Sequence, residues 1–243
     1  MTYGVGLLLE DGLVLCADSR TNAGVDHVAT FRKMHVWEAP GERCMVLLTA
    51  GNLAISQSVV SLLTEGMGED RAETMLSAPS MFDAARLAGR AVREIYDLDA
   101  QRLKEQGTEF NVSMILGGQI KGRRLRLFQI YSAGNFIEAT VDTPYIQIGE
   151  TKYGKPILDR VVSGRTSLNE AAKCALISMD STLRSNVSVG LPIDIAILRR
   201  DECRIAVRKR LDESDLYLSD IRRRWSEGLR SVFQTVPDPD WKV

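Results

Sequence analysis

The residues best suited to chemistry lie within the first 51 positions of the chain. Thr2 follows the initiator methionine, and a small second residue such as threonine allows the cell to remove that methionine. Removal of Met1 would give Thr2 a free α-amine beside its hydroxyl, so one residue would hold both a nucleophile and a base. The ordinary pKa of an α-amine, about 7.7–8.0, is close to physiological pH and suits a base. Because many chains begin Met-Thr, this pattern alone indicates little.

Three further residues are suited to support such a nucleophile. Asp18 ends a predicted strand that returns to the N-terminus, and Lys33 begins the next predicted strand. A lysine ammonium near Thr2 would lower the pKa of its amine and hydroxyl, and a carboxylate would keep that lysine charged. The segment LLTAGNLA places Gly51 between a strand and a helix, where backbone N–H groups favour a developing oxyanion. The alternatives are a surface salt bridge for Asp18 and Lys33, and a plain helix cap at Gly51.

The elements that position these residues follow from the apolar pattern. Residues 3–9 and 13–17 are apolar and β-prone, and Asp11-Gly12 between them predicts a tight hairpin. Further strands are predicted at 33–38, 43–50, 110–118, 125–132, 193–199 and 203–208, with a short strand pair at 136–141 and 145–149. Helices are predicted at 52–65, 80–105, 152–163, 167–184 and 213–233.

This order of elements predicts the fold class. Runs of strands separated by pairs of helices favour an antiparallel sheet layered with helices over alternating βαβ units. Two such sheets stacked face to face, with the helices outside, would bury every apolar face. We therefore expect an α+β fold, a four-layer αββα sandwich with a C-terminal helical extension at 210–243. Trp225, Leu229 and Phe233 recur at helical spacing in that extension and would contact either the same domain or a neighbouring subunit.

The composition is that of an ordinary globular protein. The 243 residues have a formal net charge of −1, and no repeat or linker divides them, so we expect one domain over residues 1–243. The charge balance does not favour nucleic acid or a membrane, and a charged leader is missing, so we expect a cytoplasmic protein. No metal or organic cofactor is predicted. Buried free thiols are expected at Cys16, Cys44, Cys174 and Cys203.

Taken together, these segments resemble proteasome β-subunits, and most closely the bacterial proteasome-like Anbu ("ancestral β-subunit") family of N-terminal-nucleophile hydrolases. The resemblance is carried by the N-terminal threonine, the strand ending ADSR, the segment FRKMHV and the turn TAGNLA. The stretch DSRTNAGVDHVATFRKMHVWEAPGER, followed by VLLTAGNLA, is similar to the hallmark region of that family. The resemblance runs through nearly the whole chain and is most specific over residues 2–54.

The resemblance implies a particular chemistry and assembly. The Thr2 hydroxyl would attack a peptide carbonyl to form an acyl-enzyme, and water would then release the acyl group. Asp18 and Lys33 would support the nucleophile, and the Gly51 amide would stabilise the oxyanion. The implied substrates are peptides or unfolded proteins. The implied assembly is a homo-oligomer, either a ring or an open spiral, and the resemblance leaves open whether an ATPase partner feeds it.

The resemblance is incomplete in the second half of the chain. Proteasome β-subunits have a serine in a GSG turn beside the nucleophile, whereas the corresponding turn here is Gly149-Glu150-Thr151. They also have an aspartate at a helix end, followed by a serine and paired glycines. Asp180 is predicted to be that aspartate, and the candidate serines are Ser181, Ser185 and Ser188. Three functions therefore stay open: a threonine peptidase, an amidase acting on small amides, and a non-catalytic assembly subunit.

Overall fold

Two five-stranded antiparallel sheets lie face to face in the computed structural model, which describes residues 1–22 and 28–241. In chain order the strands are β1 (Tyr3–Leu9), β2 (Gly12–Asp18), β3 (Arg20–Asn22), β4 (Val28–Thr30), β5 (Met34–Ala39), β6 (Arg43–Gly51), β7 (Val112–Ile120), β8 (Arg126–Ile130), β9 (Phe136–Glu138), β10 (Tyr145–Gly149), β11 (Ile193–Arg199) and β12 (Ile205–Leu211). The α-helices are α1 (Leu53–Glu65), α2 (Met81–Glu105), α3 (Lys155–Val161), α4 (Leu168–Ser185) and α5 (Leu216–Thr235). The first sheet has the order β10-β1-β2-β11-β12 and the second the order β5-β6-β7-β8-β9, while β3 and β4 form a separate ribbon.

Three apolar cores separate the layers of the molecule. One core, which includes Met45 and Val92, lies between the second sheet and helices α1 and α2. The middle core, which includes Leu15, joins the two sheets. The third, which includes Tyr3 and Ala175, lies between the first sheet and helices α3 to α5. Because β2 has a core on both faces, all seven of its residues are buried, which explains its unbroken apolar sequence. The predicted αββα sandwich is confirmed.

Polar residues at the helix starts explain why the helices begin where they do. The Asn52 side chain caps α1, and Ser80 caps α2 by accepting a hydrogen bond from a backbone amide of the first turn. Ser167 and Glu170 form a reciprocal capping box at the start of α4. Such caps satisfy amides that have no partner within the helix. The predicted starts of these three helices agree with the structure to within one residue.

Two predictions about strand connections were wrong. The predicted pair at 136–141 and 145–149 does not form, because β9 pairs with β8 in the second sheet and β10 pairs with β1 in the first. The short connection between them therefore passes from one sheet to the other. The first hairpin turns at Glu10-Asp11, with Leu9 opposite Gly12, rather than at Asp11-Gly12. The β3-β4 ribbon was not predicted, and residues 23–27 between its strands lie outside the described part of the chain.

The predicted C-terminal extension begins inside β12 and continues as α5. Leu218 and Ile221, in the first half of α5, are buried in the same core as residues of α4. In the second half, Val232 and Phe233 are 62% and 79% exposed. The helix therefore packs on its own chain at one end and has an apolar surface at the other. Over residues 1–22 and 28–241, no helix, α5 included, is long and apolar enough to cross a membrane.

The four cysteines all lie within the described residues. Each is buried and is a free thiol, as the sequence predicts. Burial raises the pKa of Cys44 to about 12 and that of Cys174 to about 11, so both thiols are protonated at neutral pH. These cysteines are therefore part of the apolar cores rather than reactive groups.

Candidate active site

A cleft of about 90 Å³ opens beside Thr2, where several strands end. Thr2 lies immediately before β1, Lys33 immediately before β5, and Gly51 is the last residue of β6. Residues that line the cleft include Thr2, Arg20, Lys33, Thr49, Gly51 and Ser56. Asp18, the last residue of β2, contacts Lys33 directly. The fold thus brings together four of the five residues predicted from the sequence.

Asp18 is fully buried and its carboxylate accepts four hydrogen bonds. Oδ1 accepts from the backbone amide of Tyr3 at 3.0 Å and from Lys33 Nζ at 2.8 Å. Oδ2 accepts from the backbone amides of Arg20 at 3.2 Å and Gly190 at 3.1 Å. Burial raises the pKa of Asp18, and the Lys33 ammonium and the backbone amides oppose that shift. The carboxylate therefore joins the start of β1, the end of β2 and the loop before β11.

Lys33 is the charged partner of Asp18 and is itself buried. Its Nζ also donates to the carbonyl oxygen of Arg20 at 2.6 Å and to that of Met1 at 3.5 Å. Burial lowers the pKa of Lys33, and the Asp18 carboxylate opposes this shift. The ammonium is therefore held between a buried carboxylate and the carbonyl group that joins Met1 to Thr2.

Thr2 is held tightly although its neighbour is not. Thr2 is only 6% exposed, whereas Met1 is 64% exposed. The Thr2 carbonyl oxygen accepts a hydrogen bond of 2.7 Å from the backbone amide of Glu150. Gly149 precedes that amide with a φ of 78°, and a Cβ on it would lie 1.9 Å from the Thr2 carbonyl oxygen. Only glycine fits this approach, so the Gly149 turn fixes the backbone of Thr2.

The electrostatics around Thr2 act on the terminal amine of the chain. Burial, and after it the Lys33 ammonium, lower the pKa of the Met1 amine. The carboxylates of Asp18 and Glu150 oppose this shift. While Met1 is attached, the nitrogen of Thr2 is an amide and is not basic. Loss of Met1 would create a basic amine on Thr2, one residue further along the chain, and the same charged groups would act on it.

The turn at Gly51 differs from the sequence expectation in one respect. Gly51 has a φ of 106°, and a Cβ on it would lie 2.3 Å from the carbonyl oxygen of Asn111. Asn52 Oδ1 accepts from the amides of Ala54 at 2.9 Å and Ile55 at 3.4 Å. Two amides of the first turn of α1 are therefore already bonded within the cap. The N-terminus of α1 offers fewer free donors to a ligand than a bare helix end.

Asp180, the fifth predicted residue, is not brought to the cleft. It is buried on α4, and its carboxylate accepts from Arg222 Nε of α5 at 2.7 Å and from Arg184 Nε at 3.3 Å. A buried carboxylate needs such partners, because charge burial without them is costly. Within the described residues, both of its side-chain partners lie on α4 and α5. Asp180 is therefore the charged contact that, beside the apolar contacts of Leu218 and Ile221, joins the C-terminal helix to α4.

Two residues that the sequence analysis did not include as site members lie beside Thr2. Glu150 was noted only as a departure from the expected serine. Asn186, the C-cap residue directly after α4, donates from Nδ2 to Glu150 Oε2 at 3.0 Å, and its Oδ1 accepts from the amide of Ser188. The signal that could have found Asn186 is its place as a polar residue at the end of a predicted helix, shortly before a strand.

Comparison with known proteins identifies the family to which the chain belongs. The family model described as "Proteasome subunit" matches residues 2–198. The structure of Anbu (ancestral beta-subunit) from Yersinia bercovieri is 51% identical, with a TM-score of 0.91 and coverage of 98% of this chain and 100% of that chain. The helical assembly of the Anbu complex from Pseudomonas aeruginosa is 48% identical, with a TM-score of 0.92 and coverage of 98% of each chain. Proteasome subunit beta 2 of Nitrosopumilus maritimus is 26% identical over 208 residues, which are 84% of this chain and 89% of that protein.

These similarities extend over the sandwich and the cleft residues alike. The family model includes Thr2, Asp18, Lys33 and Gly51 within its matched range. The Anbu structures also cover residues beyond 198, where α5 lies. The chain therefore belongs to the proteasome subunit family and, within it, to the Anbu proteins related to proteasome β-subunits.

Proposed function

We propose that this chain is a threonine peptidase that hydrolyses peptide bonds with Thr2 as its nucleophile once Met1 has been removed. The observation that carries the proposal is the cleft that Thr2 shares with Lys33 and Gly51, in which Lys33 is paired with the buried Asp18. Family membership supports hydrolase chemistry at this position. The substrate class follows from that resemblance: peptides or unfolded proteins.

The proposed reaction needs one residue to act as nucleophile and base. Removal of Met1 converts the amide nitrogen of Thr2 into an amine. That amine takes the hydroxyl proton while Oγ1 forms a bond to the substrate carbonyl carbon, and the carbonyl oxygen gains the negative charge. The Gly51 amide donates to this oxyanion. Collapse breaks the C–N bond as the α-ammonium returns its proton to the leaving amine, and water hydrolyses the remaining ester by the same steps.

Lys33 and Asp18 have supporting roles in this proposal. The ammonium stabilises the negative charge that develops on Oγ1 as its proton leaves. Because both side chains are buried, their field is screened less than that of a surface pair. The four hydrogen bonds on Asp18 hold the carboxylate still, so the ammonium is fixed relative to Thr2.

We further propose that the chain assembles with copies of itself, as a ring or an open spiral. The Pseudomonas aeruginosa Anbu complex is described as a helical assembly, which favours the spiral. The exposed apolar surface at Val232 and Phe233 is the part of α5 best suited to contact a second copy. Size-exclusion chromatography with light scattering tests this: a Val232→Ser/Phe233→Ser variant should be smaller than the parent. Equal sizes for the variant and the parent would show that Val232 and Phe233 do not form the contact between copies.

Turnover on a peptide library tests the peptidase proposal. The wild-type protein should cleave peptides, Thr2→Ser should keep part of the rate because it retains a hydroxyl, and Thr2→Ala should have none. A parallel set of small γ-glutamyl and aliphatic amides separates the alternatives. Cleavage of the amides alone would make the chain an amidase. Absence of all turnover in an assembled protein that has lost Met1 would make it a non-catalytic subunit.

A further inference from the structure

The turn that follows β10 bonds an acidic residue to the backbone of the nucleophile. The Glu150 amide donates to the Thr2 carbonyl oxygen at 2.7 Å, so the two residues are fixed to each other through the backbone. Glu150 is only 7% exposed. A carboxylate is costly to bury unless something pairs with it. Glu150 therefore needs a partner. The amide that bonds its carboxylate, Asn186 Nδ2, also lies 3.9 Å from the sulfur of Met1, so the carboxylate is close to the N-terminal residue.

The partners that the described residues supply to Glu150 do not neutralise it. Asn186 Nδ2 donates to Oε2 at 3.0 Å but has no charge. The orientation of this amide follows from its other contact, because Asn186 Oδ1 accepts from the Ser188 amide at 2.9 Å and must be the oxygen. Lys152 Nζ is 3.9 Å from Oε1, but that side chain is exposed, so its attraction is weak.

The other carboxylate near the N-terminus has no capacity left. A carboxylate has about four acceptor positions, and Asp18 uses four on three backbone amides and the Lys33 ammonium. Arg20, the other cation lining the cleft, donates to the carbonyl of Val187. The carboxylates of Asp18 and Glu150 raise the pKa of the chain's terminal amine, and the Lys33 ammonium lowers it. Glu150 is thus the acidic group with a free acceptor position for an amine.

We infer that Glu150, oriented by Asn186, is the counter-ion of the Thr2 α-ammonium and a positioning residue for the nucleophile. This inference rests on the proposed function. When Oγ1 bonds to the carbonyl carbon, its proton moves to the α-amine, and the Glu150 carboxylate stabilises the ammonium so formed. The proton then passes to the leaving amine as the C–N bond breaks.

The test is chemical labelling of the α-amine, which does not depend on turnover. A full chain released from a fusion by cleavage directly before Thr2 ensures that Thr2 is the N-terminus. Labelling with acetic anhydride at pH 7 is followed by peptide mass spectrometry. Glu150→Gln should label about three- to tenfold faster, because loss of the carboxylate leaves more of the amine neutral. Glu150→Asp, which keeps the carboxylate, should label nearly at the wild-type rate.

The difference between these two variants distinguishes the inference from a structural effect, because both change Glu150 but only one removes its charge. Glu10→Gln is the matched control, since Glu10 lies at the far end of β1, about 25 Å from Thr2, and should label at the wild-type rate. Equal rates for Glu150→Gln and the wild type, or the same acceleration in Glu150→Gln and Glu150→Asp, would overturn the inference. If labelling shifts as expected but no substrate is cleaved, the counter-ion stands and the proposed function fails.

Discussion

Replacement of Lys33 by methionine tests the buried charge pair that the account places beside Thr2. Methionine keeps much of the length of lysine but removes the ammonium, which lies 2.8 Å from Asp18 Oδ1. Removal of one member of a buried ion pair costs about 3–5 kcal/mol, because the other charge stays buried. The three backbone amides that still bind the Asp18 carboxylate keep the expected loss near the lower end, about 3 kcal/mol.

The assay is thermal or urea unfolding of the two proteins at neutral pH. For a chain of this length a loss of about 3 kcal/mol lowers the melting temperature by roughly 6–12 °C. Lys155→Met is the matched control, because the Lys155–Asp159 pair is exposed and an exposed ion pair contributes little to stability. Adding Asp18→Asn to Lys33→Met should restore part of the stability, since the unpaired charge is then gone.

Two results would refute this reasoning. One is a Lys33→Met variant that is no less stable than Lys155→Met, which would mean that Asp18 is not destabilised by the loss of its partner. The other is a double variant whose loss equals the sum of the two single losses. Independent contributions of that kind are expected of side chains that do not interact.

Three further predictions follow from the structure. Burial, and after it the nearby charge of Arg208, lower the pKa of His35 to about 4. As the pH falls, His35 therefore takes up a proton at a higher pH in the unfolded chain than in the folded one. Stability should therefore drop by up to about 3 kcal/mol between pH 6.5 and 4, and His35→Gln should remove that part of the drop in pH-dependent unfolding. Arg222→Ala should release α5, because it removes the α5 partner of the buried Asp180, and limited proteolysis should then cut within α5. Gly149→Ala should displace Thr2 and abolish reaction with a threonine-directed electrophile, at a cost of more than about 1 kcal/mol in stability.

Each of these predictions has a control and a contradicting result. Identical pH profiles for the wild type and His35→Gln would show that His35 does not contribute to acid sensitivity. Arg224→Ala removes an exposed pair on the same helix and should leave proteolysis unchanged, so equal cutting in both arginine variants would argue against the Asp180 attachment. Gly122→Ala changes an exposed glycine that also has a positive φ but no crowding. If Gly149→Ala reacted with the threonine-directed electrophile as readily as Gly122→Ala, that result would contradict the close approach of Gly149 to Thr2.

The N-terminal half of the site was predictable because its parts are joined by short connections. Thr2 and Asp18 are at the same end of one hairpin, β1-β2, and Gly51 ends the second strand of another, β5-β6. Alternation, turn residues and helix caps are local signals, so they place these residues without knowledge of the remaining chain. The sandwich architecture was also predictable, because strand runs separated by helix pairs allow few ways to bury every apolar face.

The second half was less predictable because it depends on contacts between distant segments. The pattern at 145–149 predicts a strand but does not show that its partner is β1 rather than β9. Similarly, Asp180 and Asn186 both lie near the end of α4, and the sequence does not show which of them faces the cleft. In the structure Asp180 bonds Arg222 of α5, whereas Asn186 bonds Glu150, the residue after β10 whose amide bonds Thr2.

The most direct test of the central claim is the mass of the cellular protein before and after treatment with a peptide epoxyketone. A free α-amine and a hydroxyl on one residue allow two bonds to such a reagent, one from each group. We expect a protein that has lost Met1, an adduct of the full reagent mass on Thr2, and no adduct in Thr2→Ala. Retention of Met1 in the cellular protein, or an adduct that persists in Thr2→Ala, would contradict Thr2 as the nucleophile.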